Sequence, residues 1–167
     1  MKESIGGISL TMIVIVLILL FAGIMSLTIN RSNAIAVKER IMRIIEEYDG
    51  FDMSATARYE TECVSDSAGG DELCDILETI NTYSYRQVGK CPEEGEVVGY
   101  QRDGSMVNSD DFAAFCIIRT KAGREGNELM RSERYYYKVI MFYGIDIPVI
   151  KQVLNFKATG ETKMLSE

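Results

Sequence analysis

The sequence predicts an α+β protein: a long N-terminal helix, membrane-spanning and then amphipathic, packed on a head with a second short helix and an antiparallel sheet of about four to five strands. Three observations predict it. No ionisable side chain occurs from Ser4 to Asn30, a stretch dominated by Ile, Leu, Val, Met and Phe. Apolar residues then recur at helical spacing as far as Tyr48, and from Tyr83 onward the period falls to two.

The first element is a membrane span, because Ile13 to Phe21 is apolar on every side, whereas a core helix of a soluble domain keeps a polar face. The run is about twice the length of the apolar region of a secretory signal, and the helical pattern continues past its end, which favours retention over cleavage. Ala22 and Ser26, four residues apart, form a small patch on which another helix can approach closely.

Beyond the span, Val37, Ile41, Ile44, Ile45 and Tyr48 line one helical face while Lys38, Glu39, Arg40, Arg43, Glu46 and Glu47 line the other. Neither Pro nor Gly interrupts the chain until Asp49-Gly50, so span and amphipathic segment read as one helix that must pack its outer half on the head. Phe51 to Glu62 fits either a short helix with Ser54 as its cap or an extended connection, and Ser65 to Gly70 is a loop by composition. Asp71 and Glu72 open a second helix carrying Leu73, Ile76, Leu77 and Ile80, with negative charge at its N-terminus.

Candidate strands are Tyr83–Lys90, Glu96–Gln101, Ala113–Lys121, Tyr135–Tyr143 and Val149–Lys157, separated by Cys91-Pro92, Arg102-Asp103-Gly104, Ala122-Gly123 with Gly126, and Gly144 before Pro148. Such short connections point to an antiparallel meander. Tyr135, Tyr136 and Tyr137 are expected to alternate across a half-buried strand and pack. The chain thus divides into a short tail at 1–4, a transmembrane helix at 5–29, its amphipathic continuation at 30–50 and an α+β head at 51–167.

Composition narrows the chemistry. A net charge of −7 with no basic stripe argues against nucleic acid. The chain has no histidine, and so lacks the commonest neutral-pH base and most zinc-site types, and it has no tryptophan for a Trp-lined cage. It carries no phosphate-binding loop and no calcium loop of the required spacing; Asp103, Asp110 and Asp111 stand among Ser105, Asn108 and Ser109 as an acidic solvated loop. No catalytic, cofactor-binding or metal-binding residue is therefore assigned, and neither an enzyme nor a small-molecule binder is expected.

Cys63, Cys74, Cys91 and Cys116 are even in number, confined to the head and without CxxC spacing, which suits two disulfides in an oxidising compartment better than zinc. The preferred pairing is Cys63–Cys74 and Cys91–Cys116. Lys2 precedes the span while Arg31, Lys38, Arg40 and Arg43 follow it, so the positive-inside count alone would leave the head in the cytoplasm. The cysteines point the other way and carry the expectation: a single-pass cell-membrane protein, N-terminus cytoplasmic and head extracytoplasmic.

Glu3-Ser4-Ile5-Gly6, the apolar span, the continuation Ser32-Asn33-Ala34-Ile35-Ala36-Val37-Lys38 and the disulfide-capable head together resemble the type IV pilin-like proteins, and among them the TadE-like minor pilins of tight-adherence systems. The resemblance covers the first 50 residues; over the head it rests on the plan of a long helix against an antiparallel sheet. It implies a subunit held in the membrane by its N-terminal helix, partnered there by other pilin-like subunits, that is built into a surface filament or secretion machine or assists its assembly. Pilins of the usual kind carry a basic leader ending in Gly and a Glu at the fifth mature position. Here cleavage after Gly6 or Gly7 would remove Glu3, so the analogous pairing role falls to Glu3 of an unprocessed chain, beside Ala22 and Ser26. The alternative is a membrane-tethered extracytoplasmic accessory or sensor domain that does not polymerise.

Overall fold

A computed structural model describes residues 2–57, 59, 63, 72–83, 85, 87–93, 95–107, 111–121, 134–144 and 155–166. Helix α1 runs without a break from Lys2 to Glu47, taking in Lys2–Ser4, which the sequence reading set apart as a tail. At the standard rise it is roughly 69 Å long. It ends in a Schellman turn: Gly50 N–H donates to the Ile45 carbonyl at 3.1 Å, and Asp49 takes the left-handed conformation at φ 55°. The stop falls on the predicted dipeptide, but its left-handed residue is Asp49, a type that tolerates this region better than most.

Both alternatives are met in part: Phe51–Ala57 is a non-helical connection with a turn in which Asp52 Oδ1 accepts from both the N–H and the hydroxyl of Ser54, whereas the next described positions, Tyr59 and Cys63, have π-helical backbone. Two hydroxyls fasten this connection to the sheet, Tyr100 donating to the Ala55 carbonyl at 2.9 Å and Tyr137 to that of Phe51 at 3.5 Å. Ser65 to Gly70 and Asp71 lie outside the described residues. Helix α2 spans Glu72–Thr82 and buries Leu73, Ile76, Leu77 and Ile80, the face read from the sequence.

Among the described residues eight strands follow: β1 Gly89–Lys90, β2 Glu96–Tyr100, β3 Met106–Val107, β4 Phe112–Ala113, β5 Phe115–Lys121, β6 Arg134–Gly144, β7 Asn155–Glu161 and β8 Leu165–Ser166. The main sheet has the order β3-β2-β5-β6-β7, with β8 pairing the start of β6, and every pairing is antiparallel. β1 and β4 form a separate ribbon.

Two expected strands are corrected. Among the described residues of Tyr83–Lys90 only Gly89–Lys90 is strand, because Tyr83 closes α2 and Tyr85 enters the core as a side chain. Of the expected Val149–Lys157 strand, positions 155–157 open β7, which runs on to Glu161, and positions 149–154 lie outside the described residues. The meander also has an insertion, since β3 and β4 intervene between the paired β2 and β5. A bend at Ala114 splits the expected Ala113–Lys121 strand, and the Ala114 N–H is held by the Tyr100 carbonyl at 2.7 Å.

Period-two alternation gives the sheet two buried faces. One, with Phe115, Ile117, Tyr135, Tyr137, Val139 and Met141, meets Ala34, Val37, Ile41, Ile44 and Ile45 of α1 and the inner face of α2. The other collects Ala113, Cys116, Ile118, Ile140 and Phe142 into a smaller cluster with Cys91, Val97 and Val107. Gly104 turns the chain after β2 at φ 89°, in a left-handed conformation, where a Cβ would strike the backbone carbonyl of Ala57.

Candidate functional site

The feature with the clearest functional content is the division of α1. Its outer half forms part of the core, whereas the large apolar side chains from Leu10 to Ile29 are exposed except for the half-buried Leu27, Ile18 at 62% and Phe21 at 58% among them. The described part of α1 is long and apolar enough to cross a membrane. No break separates the halves, and Asn30, the first residue after the apolar stretch, donates from Nδ2 to the Gly144 carbonyl at the end of β6, at 2.8 Å.

Ala22 is exposed and Ser26 half-buried on the apolar half, at the one-turn spacing that places both on one face. Thr28 turns its hydroxyl back to the Ile24 carbonyl at 2.9 Å, so that polar group is satisfied within the helix. Glu3 falls in the first turn of α1, and the pairing role expected of its side chain lies outside the described residues.

The four cysteines form two pairs. Cys63–Cys74 ties the chain before α2 to its first turn, with Cα atoms 5.2 Å apart, and Cys91–Cys116 joins the exit of β1 to β5, with Cα atoms 5.8 Å apart. Gly99 of β2 makes room for the second pair, since a Cβ there would lie 2.8 Å from Cys91 Sγ. Sequence reasoning did not single out this glycine; its signal is a Gly inside a strand pattern, which marks a close approach.

Clefts on the head are built from groups that already serve the fold. One of them, about 480 Å³, lies between the end of α1 and β5 and holds Asp52, Glu72, Glu96 and Arg119. Glu72 accepts the Asp52 N–H at 2.9 Å. Two hydrogen bonds from Ser54, the hydroxyl's the stronger influence, hold the Asp52 carboxyl below its usual range. Glu96 grips Arg119 in a two-pronged ion pair at 2.8 and 3.0 Å, which raises the guanidinium pKa further and lays it 5.1 Å over the Tyr135 ring. Asp103 accepts the N–H and hydroxyl of Ser105, so it closes a turn; Asp111 is exposed, and Asp110 lies outside the described residues. Among the described residues no three acidic, Cys or His side chains converge as a metal site. Tyr135 and Tyr137 are buried in the core and Tyr136 points to the opposite face, as expected for packing.

Fold and surface together define an α+β head carried on one continuous helix whose proximal half is long and apolar enough to cross a bilayer. No protein-family model, curated protein or solved structure matches the chain.

Proposed function

We propose that the protein is a membrane-anchored structural subunit of the pilin-like kind, with its head outside the cytoplasm, built into or assisting assembly of a surface filament or secretion machine. One observation carries the reading: α1 is a single unbroken helix, core of the head over one half and apolar and largely exposed from Leu10 to Ile29 over the other. A plain tether needs only about 20 apolar residues and no rigid coupling to the head. Moving the apolar half from lipid into a bundle of similar helices exchanges one apolar surrounding for another, so close packing at Ala22 and Ser26 and pairing by Glu3 decide the register. The head supports this with two disulfides, which suit an oxidising compartment.

The test exchanges residues 5–29 for an unrelated apolar span of equal length, alongside Glu3→Gln and a double Ala22→Leu, Ser26→Leu variant. The expected result is normal membrane insertion and protein level with fewer surface filaments or reduced secretion. Full function in the exchanged chain would make the helix a simple tether and leave the non-polymerising accessory domain as the better reading.

A further inference from the structure

The end of the head from which α1 emerges has a fixed height relative to the apolar half, because no linker lies between them. Ile29 closes the apolar stretch and Asn30 is already bonded to Gly144. From there the helix advances side by side with β7 and the residues that leave it: Lys38 Nζ donates to the Thr159 carbonyl at 3.3 Å and the Lys163 N–H to Glu46 Oε1 at 3.0 Å. From Asn30 to Glu46 the helix rises roughly 24 Å. From Asn155 to Lys163 an extended chain advances roughly 26 Å, so strands and helix run nearly parallel. The basal ends of β6 and β7 therefore lie level with the end of the apolar stretch, and the next residues inward, Tyr143 and Phe156, within roughly 3.4 Å of that level.

Those two rings pair across the strands, stacked at 5.3 Å between centroids and 20° between planes, with Phe156 37% exposed. Arg31 on the helix is exposed at this level, and Lys157, the next residue of β7 and also exposed, stands one residue further from it on the opposite face of the sheet, its Nζ 6.0 Å over the Phe142 ring. The polar layer on each side of a hydrocarbon core is roughly 5–8 Å deep, where Tyr rings with a wet hydroxyl are enriched and basic side chains meet lipid phosphate.

We propose that the ends of β6 and β7 marked by Gly144 and Asn155 are seated in the lipid headgroup layer, with Tyr143 and Phe156 within that layer and the basic ends of Arg31 and Lys157 reaching the phosphates. The inference rests on the membrane-anchor reading and adds to it a second contact surface that fixes the tilt and height of the head. Before assembly the subunit lies on the membrane as a footed body, and joining a filament requires both the span and this foot to leave lipid.

The native chain contains no tryptophan, so single-tryptophan variants report depth without interference. The full chain, reconstituted in phosphatidylcholine vesicles, is compared as Phe156→Trp, as Phe21→Trp in the apolar half, and as Met164→Trp at the distal end of the head. The quenchers are phosphatidylcholine brominated close to the glycerol backbone and phosphatidylcholine brominated near the chain ends. The expected pattern is loss of Phe156→Trp emission with the shallow bromine, loss of Phe21→Trp emission with the deep one, and no loss for Met164→Trp. If Phe21→Trp is quenched and Phe156→Trp is not, the head stands clear of the bilayer and the proposal fails while the anchor stands. If Phe21→Trp is quenched by neither lipid, the anchor reading fails and takes the proposal with it. Unquenched, blue-shifted Phe156→Trp emission that moves to the red on dilution with lipid would assign the surface to a second copy, which also overturns it.

Discussion

The hydroxyl of Tyr85 donates to the carbonyl of Phe142 and accepts the N–H of the same residue. The ladder between β5 and β6 ends at Phe115 opposite Met141, so Phe142 is the first residue of β6 with no β5 partner, and one phenol replaces it. The substitution is dry: Tyr85 is buried, and burial pushes its hydroxyl pKa well above the usual value, keeping it protonated as a donor. Tyr85→Phe leaves a buried N–H and carbonyl without this partner. We expect a loss of about 1–3 kcal/mol in denaturant unfolding of the head, since the desolvation cost of orphaned groups is then uncompensated.

A similar device closes the other side of β6. Thr162 lies between β7 and β8, its N–H donating to the Tyr137 carbonyl at 2.9 Å and its Oγ1 accepting the Tyr137 N–H at 3.0 Å. Thr162→Val keeps the shape and the N–H bond but removes the acceptor. We expect about 1–3 kcal/mol of destabilisation and faster hydrogen exchange at the Tyr137 amide, with Thr162→Ser retaining most of the native protection.

These two residues show where the sequence stops being legible. Tyr85 sits in an alternating stretch and reads as a strand residue, but its backbone is outside the ladder and only its hydroxyl joins the sheet. The two-residue strands β1, β3, β4 and β8 are too short to carry a period, and apart from β3, which turns back on β2, they pair with partners distant in sequence. By contrast, the long helix, its stop at Asp49-Gly50 and the inner face of α2 follow from local spacing and capping, which tertiary contacts reinforce. Of the candidate site, the apolar half of α1 was legible as composition. Its fixed height against the head was not, because that depends on Asn30 meeting Gly144 across 114 positions of sequence.

The two disulfides are expected to contribute unequally. Cys91–Cys116 closes a separation of 25 residues and Cys63–Cys74 one of 11. On the loop-entropy account these correspond to about 3.5 and 2.8 kcal/mol. Paired Cys→Ala variants should lower the denaturation midpoint in that order. Mass spectrometry of protein alkylated without reduction should find all four thiols blocked in material from the native host; four alkylated thiols would remove the argument for an extracytoplasmic head.

Acid sensitivity should be traceable to Asp52. Its carboxyl pKa is lowered in the folded protein, first by the Ser54 hydroxyl and then by the Ser54 N–H. A lowered folded pKa means a stabilising contribution that is present above the unfolded value of 3.8 and lost as pH falls through the folded one. Ser54→Ala removes the larger cause and keeps the backbone bond. Carboxyl carbon NMR titration should show the Asp52 pKa rising toward its ordinary value without reaching it, and the acid-induced loss of stability, which sets in near the unfolded value in both proteins, should be smaller and complete at a higher pH than in the parent protein.

The sharpest test of the architecture uses one residue type at two places on the same helix. Ile41 is fully buried between α1 and the sheet, whereas Ile18 is 62% exposed on the apolar half. Truncating a buried aliphatic side chain removes its transfer energy and leaves a cavity, so Ile41→Ala should cost the head about 2–5 kcal/mol. Ile18→Ala makes no cavity in the head and should change its unfolding by less than about 0.5 kcal/mol. Tyrosine near-UV circular dichroism of the detergent-solubilised full chain follows the head's packing, and with no tryptophan present the signal belongs to aromatic residues concentrated there. Equal effects at the two positions would mean that the halves of α1 unfold as one unit. No effect at Ile41 would mean that the outer half does not pack on the sheet, and the helix would then have no rigid purchase on the head.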